Sequence, residues 1–115
     1  MPIQLKRVYE AALPEDGTRI LVERLWPRGV RKADAAVDRW VKDLAPSHDL
    51  RKWFDHEVTK WEIFKSKYFE ELEGQRILIE EIASLAREQT VTFVFASKEE
   101  RYNNAAALKQ YIDAL

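Results

Sequence analysis

The chain contains no cysteine, which excludes disulfides, thiolate nucleophiles and sulfur-based metal sites together and fits a reducing compartment. It has only two histidines. One of them, His56, opens a His-Glu pair in DHEVTK (residues 55–60), but Lys60 stands where the second histidine of a helical zinc motif belongs. Carboxylates at ligand spacing are not clustered elsewhere, so neither a metal nor another cofactor is expected. Long apolar runs are missing as well. The start, MPIQLKRVYE, has no apolar h-region, and no stretch approaches the ~18 residues of a membrane span, so a cytoplasmic location without a membrane partner is expected. Charge of one sign is not in excess. Nineteen Lys and Arg stand against twenty Asp and Glu, a formal net charge of −1, and no whole-molecule field draws the protein to nucleic acid or an anionic membrane. Either kind of binding would need a local patch. The GxSxG, Walker A and GxGxxG runs are also lacking, which removes the backbone chemistry of serine hydrolases, P-loop proteins and dinucleotide-binding folds.

What is present suits one compact domain spanning 1–115. With 115 residues and 46% hydrophobic content, two separate cores would each be too small to offset chain entropy. Strands are expected at about 3–9 and 19–26. The loop AALPEDGT between them carries Pro14, Asp16 and Gly17 and is compatible with a hairpin. Between Ala33 and Leu44 the apolar positions Ala33, Ala36, Val37, Trp40, Val41 and Leu44 follow a complete helical series, predicting a helix. Pro46 ends it, and Ser47 caps a second helix whose inner face is Leu50, Trp53 and Phe54. Thr59 and Glu62 have capping-box spacing ahead of a helix lined by Trp61, Phe64, Tyr68 and Leu72. Gly74, in a left-handed conformation, would stop it, and a fourth helix at about 76–88 presents Leu78, Ile82, Leu85 and Ala86. VTFVFA (91–96), almost entirely apolar, predicts a central strand covered on both faces. Ser97 and Glu100 repeat the capping-box spacing before a last helix marked by Leu108, Tyr111, Ile112 and Leu115. The expected fold is α/β, with a small, mainly parallel sheet of about three strands flanked by about five helices.

Strands 19–26 and 91–96 each run into a polar loop and then a helix, the arrangement that places binding residues beyond the carboxyl ends of strands. Candidate ligand-binding residues follow from that placement. Arg24, Arg28 and Arg51 offer guanidinium forks, Ser47 and Ser97 offer hydroxyls, and helix-start amides offer fixed dipoles, a set suited to phosphate or carboxylate. Trp26, ahead of Pro27, is placed to wall a pocket, whereas Trp40, Trp53 and Trp61 sit at core phases of their helices. Lys98, Asn103 and Asn104 lie in the second loop, where the amides could read a polar ligand edge. His56 is the one acid–base candidate, flanked by Asp55 and Glu57. The expected partner is a small anionic molecule held between the loop at 24–29, the corner at 46–51 and the loop at 97–104. A nucleic-acid-associated module using the basic loop Arg28-Lys32, with Arg31, is the competing reading.

Four runs carry a family resemblance: RILVERLWPRGVRK, DRWVKDLAPSHDLRKWFDH, KWEIFKSKYFEEL and VTFVFASKEERYNNAAAL. The order RLWPRG, APS, LRKWF and a downstream NxA resembles the YeaO-like branch of domain-of-unknown-function family 488 over almost the whole chain. The resemblance implies a small α/β protein and supports the marked positions, without implying an activity, substrate or cofactor. Tyr102 occupies a position that is often histidine in such sequences, so no histidine-dependent reaction is expected there.

Overall fold

The computed structural model describes residues 3–115. Four strands, β1 (Ile3–Arg7), β2 (Thr18–Leu21), β3 (Arg39–Trp40) and β4 (Val91–Phe95), form one sheet. The order is β1-β4-β2-β3 and every pairing is parallel. Beside a single turn α1 (Lys32–Ala35), the helices are α2 (His48–Phe54), α3 (Trp61–Leu72), α4 (Arg76–Glu88) and α5 (Asn104–Asp113). Among the described residues no helix is long and apolar enough to cross a membrane.

The apolar run at 91–95 is central, as its composition requires: β4 pairs with β1 on one side and β2 on the other, and all five residues are buried. Its period-2 alternation divides the sheet. Val91, Phe93 and Phe95 join Ile3, Ile20 and Val22 in the main core with Phe54, Phe64, Tyr68, Ile82 and Leu108 from the helices. Val94 and Leu21 face a smaller cluster with Val8, Ala35, Trp26 and Trp40. Each fully buried aliphatic or aromatic side chain stabilises the fold by about 1.5–3 kcal/mol. Helix α4 matches its expected span, with Ile79, Ile82, Ala83 and Ala86 buried and Leu78 and Leu85 partly so.

Several local expectations fail. No hairpin joins the first two strands, because β4 lies between them, and β2 ends at Leu21, leaving Glu23 and Arg24 beyond the strand. The helix expected at 33–44 is α1, then β3, then a 3-10 turn at Lys42–Leu44. Ala36 is left-handed at φ 50°, Asp38 accepts from the Arg19 amide at 2.8 Å, and Trp40 donates Nε1–H to the Glu23 carbonyl at 2.6 Å. The apolar series that looks like one helical face serves two cores. Ala35, Val37 and Trp40 pack on one side of the sheet, and Val41 and Leu44 on the other. Trp53 is also misplaced by periodicity, being 38% exposed with Lys60 and Lys67 near its ring. Neither capping box forms: the residue before α3 is Lys60, with no side-chain cap, and α5 is capped by Asn103, whose Oδ1 accepts from Ala106 at 2.8 Å. Gly74 lies within a 3-10 turn and is not among the left-handed glycines, which are Gly17 and Gly29.

Gly17 has φ 63°, and a Cβ there would stand 2.1 Å from the Thr90 carbonyl oxygen. The turn therefore needs glycine for both conformation and close approach. Immediately before it, Asp16 is buried and ion-paired with buried Arg19 at 2.7 Å and with Lys6 at 3.2 Å. Burial alone would raise its pKa, but hydrogen bonds from the Leu13 amide, Lys6 and Arg19 outweigh that and hold the carboxyl below the ordinary aspartate value. The stability contributed by this ionisation is complete above the unfolded-state pKa and is lost as pH falls through the lower folded-state pKa. Asp16→Asn leaves the Arg19 charge buried without its partner, so denaturant unfolding at pH 7 should show a loss of about 3 kcal/mol. The gap should narrow as pH drops below the ordinary aspartate range, where wild type loses the same charge. An unchanged midpoint at pH 7 would refute the role given to this pair.

Candidate functional site

Because β1, β2 and β4 are parallel, their carboxyl ends open at one edge of the sheet, and a cleft of about 340 Å³ lies there. Its lining brings together Arg24, Trp26 and Arg28 from the segment after β2, Arg51 from α2, His56 just beyond it, Ser97 after β4 and Asn104 at the start of α5. These came from four separate stretches of sequence. The two loops expected to meet do meet, as adjacent parallel strands require.

Local chemistry explains each placement. The segment 23–30 is held by Trp26, whose Nε1–H donates to the Val30 carbonyl at 2.7 Å and whose ring meets Trp40 edge-on at 5.3 Å. Gly29 at φ 73° turns the chain, and a Cβ there would meet nothing within 4 Å, so conformation alone calls for glycine. Helix α2 starts on Ser47, whose Oγ accepts from the Leu50 amide at 3.2 Å, and ends in two consecutive left-handed residues, Asp55 (φ 44°) and His56 (φ 55°). That reversal swings His56 into the cleft lining. Asn104 donates its side-chain N–H to the Val22 carbonyl at 2.8 Å, tying the start of α5 to the end of β2.

Three of the expected ligand-binding residues stand outside the cleft lining. Ser47 gives its amide and hydroxyl hydrogens to the Glu71 carboxylate at 2.8 and 2.6 Å. Asn103 is buried, capping α5 and donating to the Glu99 carbonyl at 2.7 Å. Lys98 borders a neighbouring depression with His56, Ser97 and Glu99. Two polar lining residues were not singled out as site residues, Tyr9 and Glu23. Tyr9 lies just past β1, at the same sheet edge as the other strand ends, but only the strand order reveals that. Glu23 is adjacent to Arg24 in sequence and reads as its ion partner, yet no ion pair joins them among the described residues.

The electrostatics are uneven. Arg24, Arg28 and Arg51 take part in no ion pair among the described residues, and the one side-chain hydrogen bond from the group there is a long 3.5 Å bond from Arg24 to the Ala45 carbonyl. Half-buried Glu23 accepts the Ala96 amide at 3.0 Å through Oε1. Burial raises its pKa above the ordinary glutamate value, and the Ala96 amide, Arg51 and His56 only partly offset the shift. Tyr102 stands apart from this cleft lining, packed edge-on to Trp61 at 5.4 Å. Among the described residues no three metal-ligating side chains of the His, Cys, Asp and Glu type gather in one place.

The family described as the inactive DUF488-N3 subclade matches residues 2–115. The chain belongs to this family. It is 41% identical to the uncharacterized protein YeaO of Escherichia coli (strain K12) over 115 residues, all of both chains. It is 40% identical to the uncharacterized protein Rv3073c of Mycobacterium tuberculosis (strain ATCC 25618 / H37Rv) over 111 residues, 96% of this chain and 93% of the relative. No solved structure matches the chain. This DUF488-family member is thus a compact α/β domain whose similarity to its relatives runs end to end.

A raised glutamate pKa has a definite stability consequence. Between the unfolded-state pKa and the higher folded-state value the native protein holds the extra proton, so stability falls as pH rises through that window. Glu23→Gln keeps an oxygen for the Ala96 amide without the charge. Thermal melts should show the variant and wild type close together at pH 4 and the variant melting higher at pH 7. Equal displacement at both pH values would show that the ionisation of Glu23 is not the cause.

Proposed function

We propose that the cleft binds a small molecule through a phosphate or carboxylate group. The observation that carries this reading is the grouping of Arg24, Arg28 and Arg51 around one cavity, none of them in an ion pair among the described residues. All three are exposed; like charges gathered at one cleft repel, modestly so in contact with water, and a bidentate anion would relieve that repulsion. The cavity's volume of about 340 Å³ falls in the small-molecule range. The apolar lining from Trp26, Pro27, Ala45 and Phe54 excludes water from part of the surface and strengthens polar contacts at its edge. Binding rather than turnover is the reading favoured by the family's description as an inactive subclade. His56 is then a polar wall, and no reaction is assigned to it.

The nucleic-acid reading loses support from the side chains it relies on. Arg31 pairs with Asp34 at 3.2 Å on the exposed surface, so an acidic side chain adjoins the short basic loop, although an exposed pair of this kind is weak. Backbone binding by several Lys and Arg also weakens steeply with salt, whereas an enclosed site responds far less.

Melting of wild type, Arg28→Met and Arg51→Met with and without tens of millimolar phosphate tests the site. Phosphate should stabilise wild type by mass action, and both variants should lose that increment while melting close to wild type in its absence. The increment should persist when sodium chloride is raised at fixed phosphate. If phosphate does not move the wild-type melt and both variants are strongly destabilised without it, the arginines are scaffold and the proposed site is wrong.

A further inference from the structure

The cleft is not uniformly basic. Glu23 lines it together with the three arginines, and this acid is held from two sides. Its backbone carbonyl accepts the Trp40 indole at 2.6 Å, and Oε1 accepts the Ala96 amide at 3.0 Å. Oε2 has no hydrogen-bond partner among the described residues. Yet among those residues no buried side-chain oxygen lacks a partner, so Oε2 is accessible, and the surface that Glu23 lines is the cleft.

The acid and the cations therefore share one cavity with no contact ion pair between them among the described residues, although Arg24 is the next residue in the chain and Arg51 acts on Glu23 through space. A ligand with only a negative group would satisfy the arginines and be repelled by Glu23. A ligand with a positive group as well satisfies both. We infer that the ligand is bipolar, a small anion that also carries an ammonium group, and that Glu23 is the residue selecting for that group through its free Oε2. This rests on the anion-binding reading above and narrows the ligand class. The half-burial of Glu23 gives the contact weight, since a charge-assisted hydrogen bond to a partly desolvated carboxylate is stronger than one in water.

The arginines supply an internal control. By charge alone, three cations favour the more negative of two otherwise matched ligands, so a preference for the ligand with the extra ammonium requires the acid. Two matched pairs of different length separate these cases: O-phosphoethanolamine against ethyl phosphate, and tyramine phosphate against 4-ethylphenyl phosphate. Titration calorimetry on the full chain at pH 7 should show wild type binding the amine member of at least one pair about tenfold tighter. Glu23→Gln should bring that pair within about twofold by weakening the amine member alone. Glu23→Asp, which keeps the charge but withdraws it, should give an intermediate ratio and serves if Glu23→Gln does not fold. Equal affinities in wild type, tighter binding of the amine-free members, or a preference that survives Glu23→Gln would overturn the inference while leaving the anion site standing. If no phosphate ester of either pair binds, the anion-binding reading fails, and the inference falls with it.

Discussion

One buried residue, Asp16, ties together β1, β2 and β4 and, through Arg19, the corner before β3. Asp16 accepts hydrogen bonds from Lys6 on β1 and from Arg19 on β2, while its backbone carbonyl accepts the Thr92 hydroxyl on β4 at 2.7 Å. Arg19 then donates to the Ala35 and Ala36 carbonyls at 3.0 and 3.1 Å, fixing the corner that leads into β3. A charged network in the interior is held only if every member is satisfied, because an unpaired buried ion costs several kcal/mol. Such a network tolerates few alternative arrangements. Three charges and a turn therefore constrain a sheet whose third strand is only two residues long and contributes little pairing of its own.

That constraint reaches the cleft through the backbone. Registering β2 and β4 side by side, with Thr18 opposite Val91 and Leu21 opposite Val94, brings the end of β2 beside the start of the loop after β4. Glu23 and Ala96 can then share a hydrogen bond. Arg7 reinforces the same edge by donating to the Ser97 and Ala96 carbonyls, and the Tyr9 hydroxyl donates to the Arg28 carbonyl at 3.0 Å. The exposed loops of the cleft are thus tied down by side-chain to main-chain bonds, leaving the head groups of Arg24, Arg28 and Arg51 without ion pairs among the described residues.

The parts legible in the sequence are those where one physical signal acts alone. The span at 91–95 is apolar on both faces and is central; α4 has a single amphipathic period and begins and ends where that period does. Ser47 caps α2 because nothing else competes for the Leu50 amide. The segment 33–44 defeated the same logic because its apolar residues are divided between two cores, and a helical period cannot distinguish one buried face from two. Capping boxes failed where a nearby group intervened: Glu99 accepts the Arg101 and Tyr102 amides and Asn103 caps α5, displacing the expected role of Ser97. At the candidate site, strand-end position identified Arg24, Arg28, Ser97 and Asn104, all of which line the cleft. Glu23 precedes Arg24 directly, and adjacent opposite charges suggest pairing rather than separate roles. Only the geometry of the strand end turns the two side chains to separate contacts.

The strand order has a consequence for how the protein is made. Both amino-terminal strands depend on a partner that begins at residue 91, so during synthesis neither β1 nor β2 has its main hydrogen-bonding neighbour until four-fifths of the chain exists. Local helices can form early, but the sheet must close long loops before its pairing compensates for the lost chain entropy. The cleft depends on the same late event, because the Glu23 contact to Ala96 and the Arg7 contacts to the loop after β4 arrive together. A truncated or stalled chain would have the arginines without the cleft that gathers them.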